Sequence, residues 1–267
     1  YCWVPAPRDP EPYSPVVDCT NVVLIADASR SIDKLAGQLT ERTLPPLRIC
    51  MRPQESLDRL LADVPLDRRT LIVFAPGLTS ASFGWQGLDC CPYVTSLLEL
   101  AQALHKRQGV PRLFVITRGV SGVRGDEQLD LGQAILHGMS RVLNNELPNV
   151  PLSTIDLTAA ILPSDVDALC EELLYSRRDQ DESEIAFCGG QRFLRRLEAV
   201  DRESAERAAR SQEAGTGGNY RAEVHDAGAL DHVVFRQFLP ANVADDGVEI
   251  AVEAAGLNFK DVMNAMG

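Results

Sequence analysis

The sequence predicts an α/β protein, a doubly wound parallel sheet followed by the opening strands of a second, β-rich unit. Three observations carry this. Five apolar runs of strand length recur along the first 160 residues, amphipathic helical stretches separate them, and most of the runs are continuously apolar rather than alternating. A strand covered on one face alternates; a strand covered on both faces by crossover helices does not. Repeated β-α units of this kind give a parallel sheet with right-handed crossovers.

Taken in order, residues 1–16 form a lead-in linker, Pro-rich from 4 to 15, and residues 17–200 form the α/β unit. Its strands are expected at Val22–Ala26, Leu47–Met51, Thr70–Phe74, Leu113–Thr117 and Leu152–Asp156, and its helices near 31–43, 54–64, 92–107, 130–147 and 163–177. In the fourth helix Leu131, Ala134, Ile135, Gly138, Met139 and Val142 fall on one stripe at helical spacing, the face expected to meet the sheet. Residues 184–197 read as strand, Gly189-Gly190 turn and strand. The run 201–219 is charged and small and ends in Gly215, Gly217 and Gly218, as expected of a solvated helix passing into a linker. Alternation returns in His232–Phe238 and Val248–Ala255, and residues 220–267 are expected to be the truncated beginning of a β-rich domain. The opening YCWVPAPRDPEP has no basic segment leading into an apolar one, so the chain reads as a fragment rather than one starting with a signal peptide.

Composition narrows the function. Thirty-eight acidic against 26 basic residues give a net charge of −12, which opposes nucleic acid and anionic lipid surfaces. No apolar run has the 18 or so residues of a membrane span. The seven cysteines form no C-x-x-C pair, so neither zinc nor a disulfide framework is indicated, and reduced thiols in the cytoplasm are expected.

A dinucleotide site on this fold needs glycines after the first strand, because only glycine lets the backbone approach the pyrophosphate. The turn here is Ala26-Asp27-Ala28-Ser29-Arg30-Ser31, in which Ser29 or Ser31 reads as a helix cap and Asp27 opposes a phosphate. The spacing Gly119-x-x-Gly122-x-x-Gly125 follows a later strand and precedes Asp126 and Glu127, and it reads as a loop. A short-chain carbonyl reductase needs a tyrosine with Lys or Asn one helical turn away. The residues four places after Tyr1, Tyr13, Tyr93, Tyr175 and Tyr220 are Pro5, Val17, Leu97, Asp179 and Val224, so no such pair exists. Ser121 and Ser140 bracket the region where that site would lie, with no Tyr or Lys to work with. There is no G-x-S-x-G elbow, and His105, His137, His225 and His232 have no triad or metal spacing; His105 and His137 read as packed or surface residues. Cys90-Cys91 at a helix start reads as an inert buried pair.

Several segments together resemble one family. LFVITRGV (113–120), QAILHGMSRVLNNELPNVPLSTIDL (133–157) and EIAFCGGQRFLRRL (184–197) are similar to the structural, pseudo-reductase half of the ketoreductase in reducing type I polyketide synthases. Tyr1–Pro7 resembles the linker that leads into it, although Tyr1 and Trp3 are closer together than usual, and Cys188 stands where the family has arginine before Gly189-Gly190. GALDHVVF (228–235) and GLNFKDVMNAMG (256–267) resemble the start of the enoylreductase domain, a medium-chain reductase with a GroES-like first part. The resemblance implies a truncated Rossmann-like subdomain with no catalytic residues and no cofactor of its own. It implies NADPH in the parent enoylreductase and in the catalytic ketoreductase half, and those two regions of the same polypeptide as partners, with a transient acyl carrier domain. It also implies that Asn258 lies beside the nicotinamide, with Asp261 and Met263 as neighbours. The alternative is a divergent short-chain reductase with its own NADPH site at Gly119–Gly125.

Overall fold

The computed structural model describes residues 2–7, 19–27, 29–42, 45–50, 56–76, 78, 92–124, 129–175, 182–197, 219–224, 228, 233–238, 247–248, 250, 252 and 255–267. The Cys90-Cys91 pair, Gly125 and the 201–218 run lie outside the described residues. The chain divides into two compact units, Tyr1–Glu198 and Ala199–Gly267.

The first unit holds strands β1 (Cys2–Pro5), β2 (Asn21–Ala26), β3 (Leu47–Cys50), β4 (Thr70–Ala75), β5 (Arg112–Arg118), β6 (Leu152–Leu157), β7 (Glu184–Cys188) and β8 (Gln191–Arg196). Its helices are α1 (Arg30–Arg42), α2 (Leu57–Leu60), α3 (Pro92–Lys106), α4 (Leu131–Glu146) and α5 (Pro163–Tyr175). These strands form one sheet in the order β1-β8-β7-β6-β5-β4-β2-β3. The strands from β2 to β7 are parallel, and β8 and β1 add on antiparallel at one edge. This is the doubly wound sheet that the apolar runs predict. The chain leaves β2 in one direction to β3 and then crosses back to β4, so the topological switch lies between β2 and β4.

Alternate residues of each strand feed opposite cores. Val22, Leu24 and Ala26 join Leu71, Val73, Phe114, Ile116, Ile155 and Phe187 under α1 and α5. Val23 and Ile25 join Ile72, Phe74, Leu113, Val115 and Leu152 under α2, α3 and α4. Both faces are dry, so the strands have no position for a polar alternation.

Four local features depart from the sequence reading or refine it. Residues 2–5, expected in the linker, form β1, which pairs with β8 in the register Cys2↔Arg196 to Pro5↔Phe193. Without β1 the β8 backbone would present an unpaired edge. Helix α2 spans four residues, shorter than expected. The Leu61 carbonyl would be bonded by the N–H of Pro65, which proline lacks; Arg107 Nη1 donates to it instead at 2.6 Å. On α4 the expected stripe is not the buried face: Ile135 and Val142 are 43% and 56% exposed. Gln133, Leu136, His137, Ser140 and Leu143 are buried instead: Leu136 and Leu143 enter the apolar core and His137 meets Thr117. Gly189 and Gly190 take φ of +63° and +80°, the two positive values that a two-residue I′ hairpin turn requires.

In the second unit β9 (Tyr220–Val224) pairs antiparallel with β10 (Val233–Gln237), and α6 (Phe259–Met266) ends the chain. The Gly228 N–H donates to the Ala265 carbonyl at 2.9 Å. β9 has no counterpart among the expected strands. The expected strand at 248–255 is absent at its described positions: Val248, Ile250 and Val252 are outside any strand and are 88%, 78% and 75% exposed. No strand among the described residues pairs with them.

Candidate functional site

Ligands of doubly wound sheets bind outside the carboxyl ends of the strands, at the switch point. Here that crevice is flanked by Asp27 after β2 and Pro76 after β4. Pro76 has no N–H to offer an anion. The Ser29 hydroxyl accepts from the Ile32 N–H at 3.2 Å, which makes Ser29 the cap of α1. Asp27 accepts a long bond from the Tyr93 hydroxyl, 3.4 Å, and places a carboxylate on the path of a pyrophosphate. Among the described residues of these two turns, an acid and a proline stand where a dinucleotide's pyrophosphate is usually met by backbone N–H groups.

Further along the same edge, three buried carboxylates close the loops. Asp156, at the end of β6, accepts from the N–H groups of Val120 and Ser121 at 3.0 and 2.8 Å and from the Thr117 hydroxyl at 2.7 Å. Asp165, in the first turn of α5, accepts from the N–H groups of Leu162 at 2.9 Å and Gly190 at 2.7 Å. Asp130 caps α4 by accepting from the Gln133 N–H at 3.2 Å, and Arg118 lies 3.6 Å from it. Each carboxylate takes up backbone donors that a bound phosphate would need, so this edge is already neutralised from within.

The centre of the edge is a chain of three side chains. Thr117 Oγ1 donates to Asp156, and its oxygen lies 2.8 Å from His137 Nε2, so neutral His137 carries its proton on Nε2 and donates it to the threonine. Burial pushes the His137 imidazole down to about 4; Arg141 and Arg195 push the same way and Glu184 opposes them. Burial pushes the Asp156 carboxyl up to about 6, against the bonds from Thr117, Ser121 and Val120 that hold it down. His137 is 6% exposed and is bonded within the protein to Thr117.

These residues lie where the sequence places a short-chain reductase site. Ser121 is in the turn after β5, and Ser140 is fully buried one turn beyond His137 on α4. Between them stand Thr117, His137 and Asp156 rather than a tyrosine and a lysine. Of this cluster the sequence singles out Ser121, Ser140 and His137; it does not single out Thr117 and Asp156, because inside strands they look like isolated polar residues. Their signal is position, each being a polar residue near the carboxyl end of a buried strand. In the loop spacing, Gly119 and Gly122 adopt φ of +68° and +55°, and the Gly119 carbonyl accepts from the Asp130 N–H at 2.7 Å, a turn role.

Asn258 caps α6. Its side chain accepts from the Lys260 N–H at 3.0 Å, while Asp261 accepts from the Asn258 N–H at 2.8 Å. Asp261 and Met263 are exposed. Cys188 is buried at the β7 end, where the Arg124 guanidinium lies beside the Gly189 turn. Among the described residues no group of three or more His, Cys, Asp or Glu side chains could hold a metal, and no helix is long and apolar enough to cross a membrane.

No family model matches the chain. Among curated proteins it is 31% identical over 183 residues to a phenolphthiocerol/phthiocerol polyketide synthase of Mycobacterium tuberculosis, covering 65% of this chain and 8% of that protein. It is 28% identical over 179 residues to the phthioceranic/hydroxyphthioceranic acid synthase of Mycobacterium bovis, covering 66% of this chain and 8% of the relative. The chain thus spans about 8% of the length of these relatives. Among solved structures, an A-type ketoreductase from a modular polyketide synthase matches with a TM-score of 0.52 at 20% identity, over 75% of this chain and 42% of that one. A multidomain structure of a keto acid-selecting NRPS module, containing adenylation and ketoreductase domains, matches with a TM-score of 0.53 at 15% identity, over 85% of this chain and 19% of that one. The sequence relatives are polyketide synthases, and the first unit has the Rossmann-like fold of ketoreductases.

Proposed function

We propose that residues 17–200 are the non-catalytic, structural half of a split ketoreductase in a fully reducing polyketide synthase. In this reading 220–267 begin the enoylreductase of the same polypeptide, and 201–219 join the two. One observation carries the reading for the first unit. The carboxyl edge, where a reductase of this fold binds its dinucleotide and substrate, is filled by Asp156, Asp165 and Asp130 bonded to the loop N–H groups themselves. An edge whose loop N–H groups bond to its own carboxylates supports the sheet rather than a cofactor phosphate.

The outer face of α4 supports a docking role. Ile135 and Val142 lie seven residues apart on that helix, exposed, with Met139 between them half-buried. An apolar stripe of this kind fits the catalytic half of the ketoreductase as its partner. In the second unit Leu257, Phe259 and Met263 are 92%, 75% and 57% exposed, the state of side chains whose covering layer is supplied by the remainder of an enoylreductase. Asn258 would then hold the nicotinamide of NADPH from the cap of α6, beside the substrate channel.

Calorimetric titration of the chain with NADPH tests the reading. No binding up to millimolar cofactor is expected, together with a β-ketoacyl thioester turnover equal to that of buffer. Micromolar binding or measurable turnover would support instead a divergent short-chain reductase with a cofactor loop at Gly119–Gly125.

A further inference from the structure

Strand β1 differs from every other strand of the sheet in how it is held. It is four residues long, lies at the sheet edge, and contributes no side chain to either buried core. Its backbone pairs with β8, and the Ala6 N–H extends the ladder to the Arg192 carbonyl at 3.0 Å. One side chain ties it to a different part of the fold: the Trp3 indole N–H donates to the Ser121 carbonyl at 2.9 Å. Ser121 is itself fixed from beneath, because its N–H and that of Val120 donate to the buried Asp156 carboxylate. Asp156 in turn receives the Thr117 hydroxyl. A continuous path of hydrogen bonds thus runs from the centre of the sheet, through a turn, to the outermost strand.

We propose that β1 is a releasable strap: Trp3 latches it to the turn held by Asp156, and the strap leaves and rejoins the β8 edge as a unit while the parallel sheet stays folded. Segments held at a sheet edge by one ladder open separately from the core, and β1 is such a segment: it pairs with β8 alone, and Cys2, Trp3 and Val4 are only part-buried. The proposal concerns residues 2–6 and β8 and does not depend on the ketoreductase reading.

Hydrogen exchange read by mass spectrometry on the whole chain tests it, with residues 22–26 of β2 as the internal reference for global opening. In the unaltered chain, the amides of Cys2, Trp3, Val4 and Ala6, Pro5 having none, are expected to exchange at least about tenfold faster than those of 22–26. Trp3→Phe removes the latch and should accelerate 2–6 about tenfold further, with 22–26 unchanged. Asp156→Asn, which loosens the turn, should do the same. Where Asp156→Asn also lowers protection of 22–26, Trp3→Phe alone decides. Exchange of 2–6 in step with 22–26 in the unaltered chain overturns the strap. A Trp3→Phe chain with unchanged exchange of 2–6 overturns the latch.

Discussion

His137 and Asp156 share the Thr117 hydroxyl, and their titrations pull stability in opposite directions. The imidazole titrates near 4 in the folded chain against an ordinary 6.5, so between those values the unfolded chain binds the proton that the native state refuses. The His137 contribution is complete above about 6.5 and is lost as pH falls toward 4. Asp156 titrates near 6 against an ordinary 3.8, so the native state holds the extra proton and stability falls as pH rises through that interval. From about 4 to 6 the two slopes oppose each other. His137→Gln removes one of them while leaving a donor for Thr117. The stability gap between the original chain and this variant should widen as pH rises from 4 to 7, by an amount on the order of 3 kcal/mol. Urea midpoints at pH 4.5 and 7 measure it, and a gap independent of pH would mean that His137 is protonated alike in both states.

The β7–β8 hairpin is the element on which the carboxyl edge closes, and it is held by a buried ion pair and a glycine turn. Arg192 grips Glu172 of α5 through two bonds, 2.8 and 3.2 Å, and Glu172 is 1% exposed. Arg192→Ala leaves that carboxylate buried without its partner, and a loss of about 3 kcal/mol is expected in chemical denaturation. Glu184→Gln acts at the other end of the same hairpin. Burial pushes the Glu184 carboxyl up, but bonds from Arg141 and Arg195 outweigh it and bring it down to about 2. Both arginines are part-exposed and recover water, so this loss should be smaller, about 1–2 kcal/mol at pH 7. It should vanish as pH falls from about 4.5 toward 2. At the turn, a Cβ on Gly190 would stand 3.1 Å from the Ser164 Cβ in a backbone with φ of +80°. Gly190→Ala should cost about 1–2 kcal/mol, read as a lowered Tm.

At the scale of the whole molecule, exposed apolar faces and buried acids point to a chain that works against a neighbour. If the outer stripe of α4 is a docking face, the chain without its partner should self-associate as concentration rises, and Ile135→Glu with Val142→Glu should return it to a monomer. Sedimentation velocity across a concentration series measures both. A strict monomer before substitution would count against the docking role of α4. The charge of −12 adds a salt dependence, since screening of like charges should strengthen the association.

The sequence by itself determined the layered architecture. Continuously apolar runs can be satisfied only between two layers of helices, so Val22–Ala26, Thr70–Phe74 and Leu113–Thr117 fall in the middle of one parallel sheet. The Gly189-Gly190 hairpin was equally legible, because few residues accept two positive φ values in succession. Tertiary structure alone decided which polar residues meet. Thr117, His137 and Asp156 are 20 and 19 residues apart along the chain and come together only because β5 and β6 are neighbouring strands of one sheet and α4, which connects them, packs on it. The same contact chose the buried face of α4. Helical periodicity finds the apolar stripe of Ile135, Met139 and Val142, but it cannot see that Leu136 and Leu143 meet the core beneath the helix while His137 meets Thr117. The pairing of β1 with β8 spans almost 200 residues, and no local pattern in a Pro-rich lead encodes a partner so far away. Local propensity fixes what a segment can become, whereas the partners of buried hydrogen bonds are set by which segments the fold brings within about 3 Å.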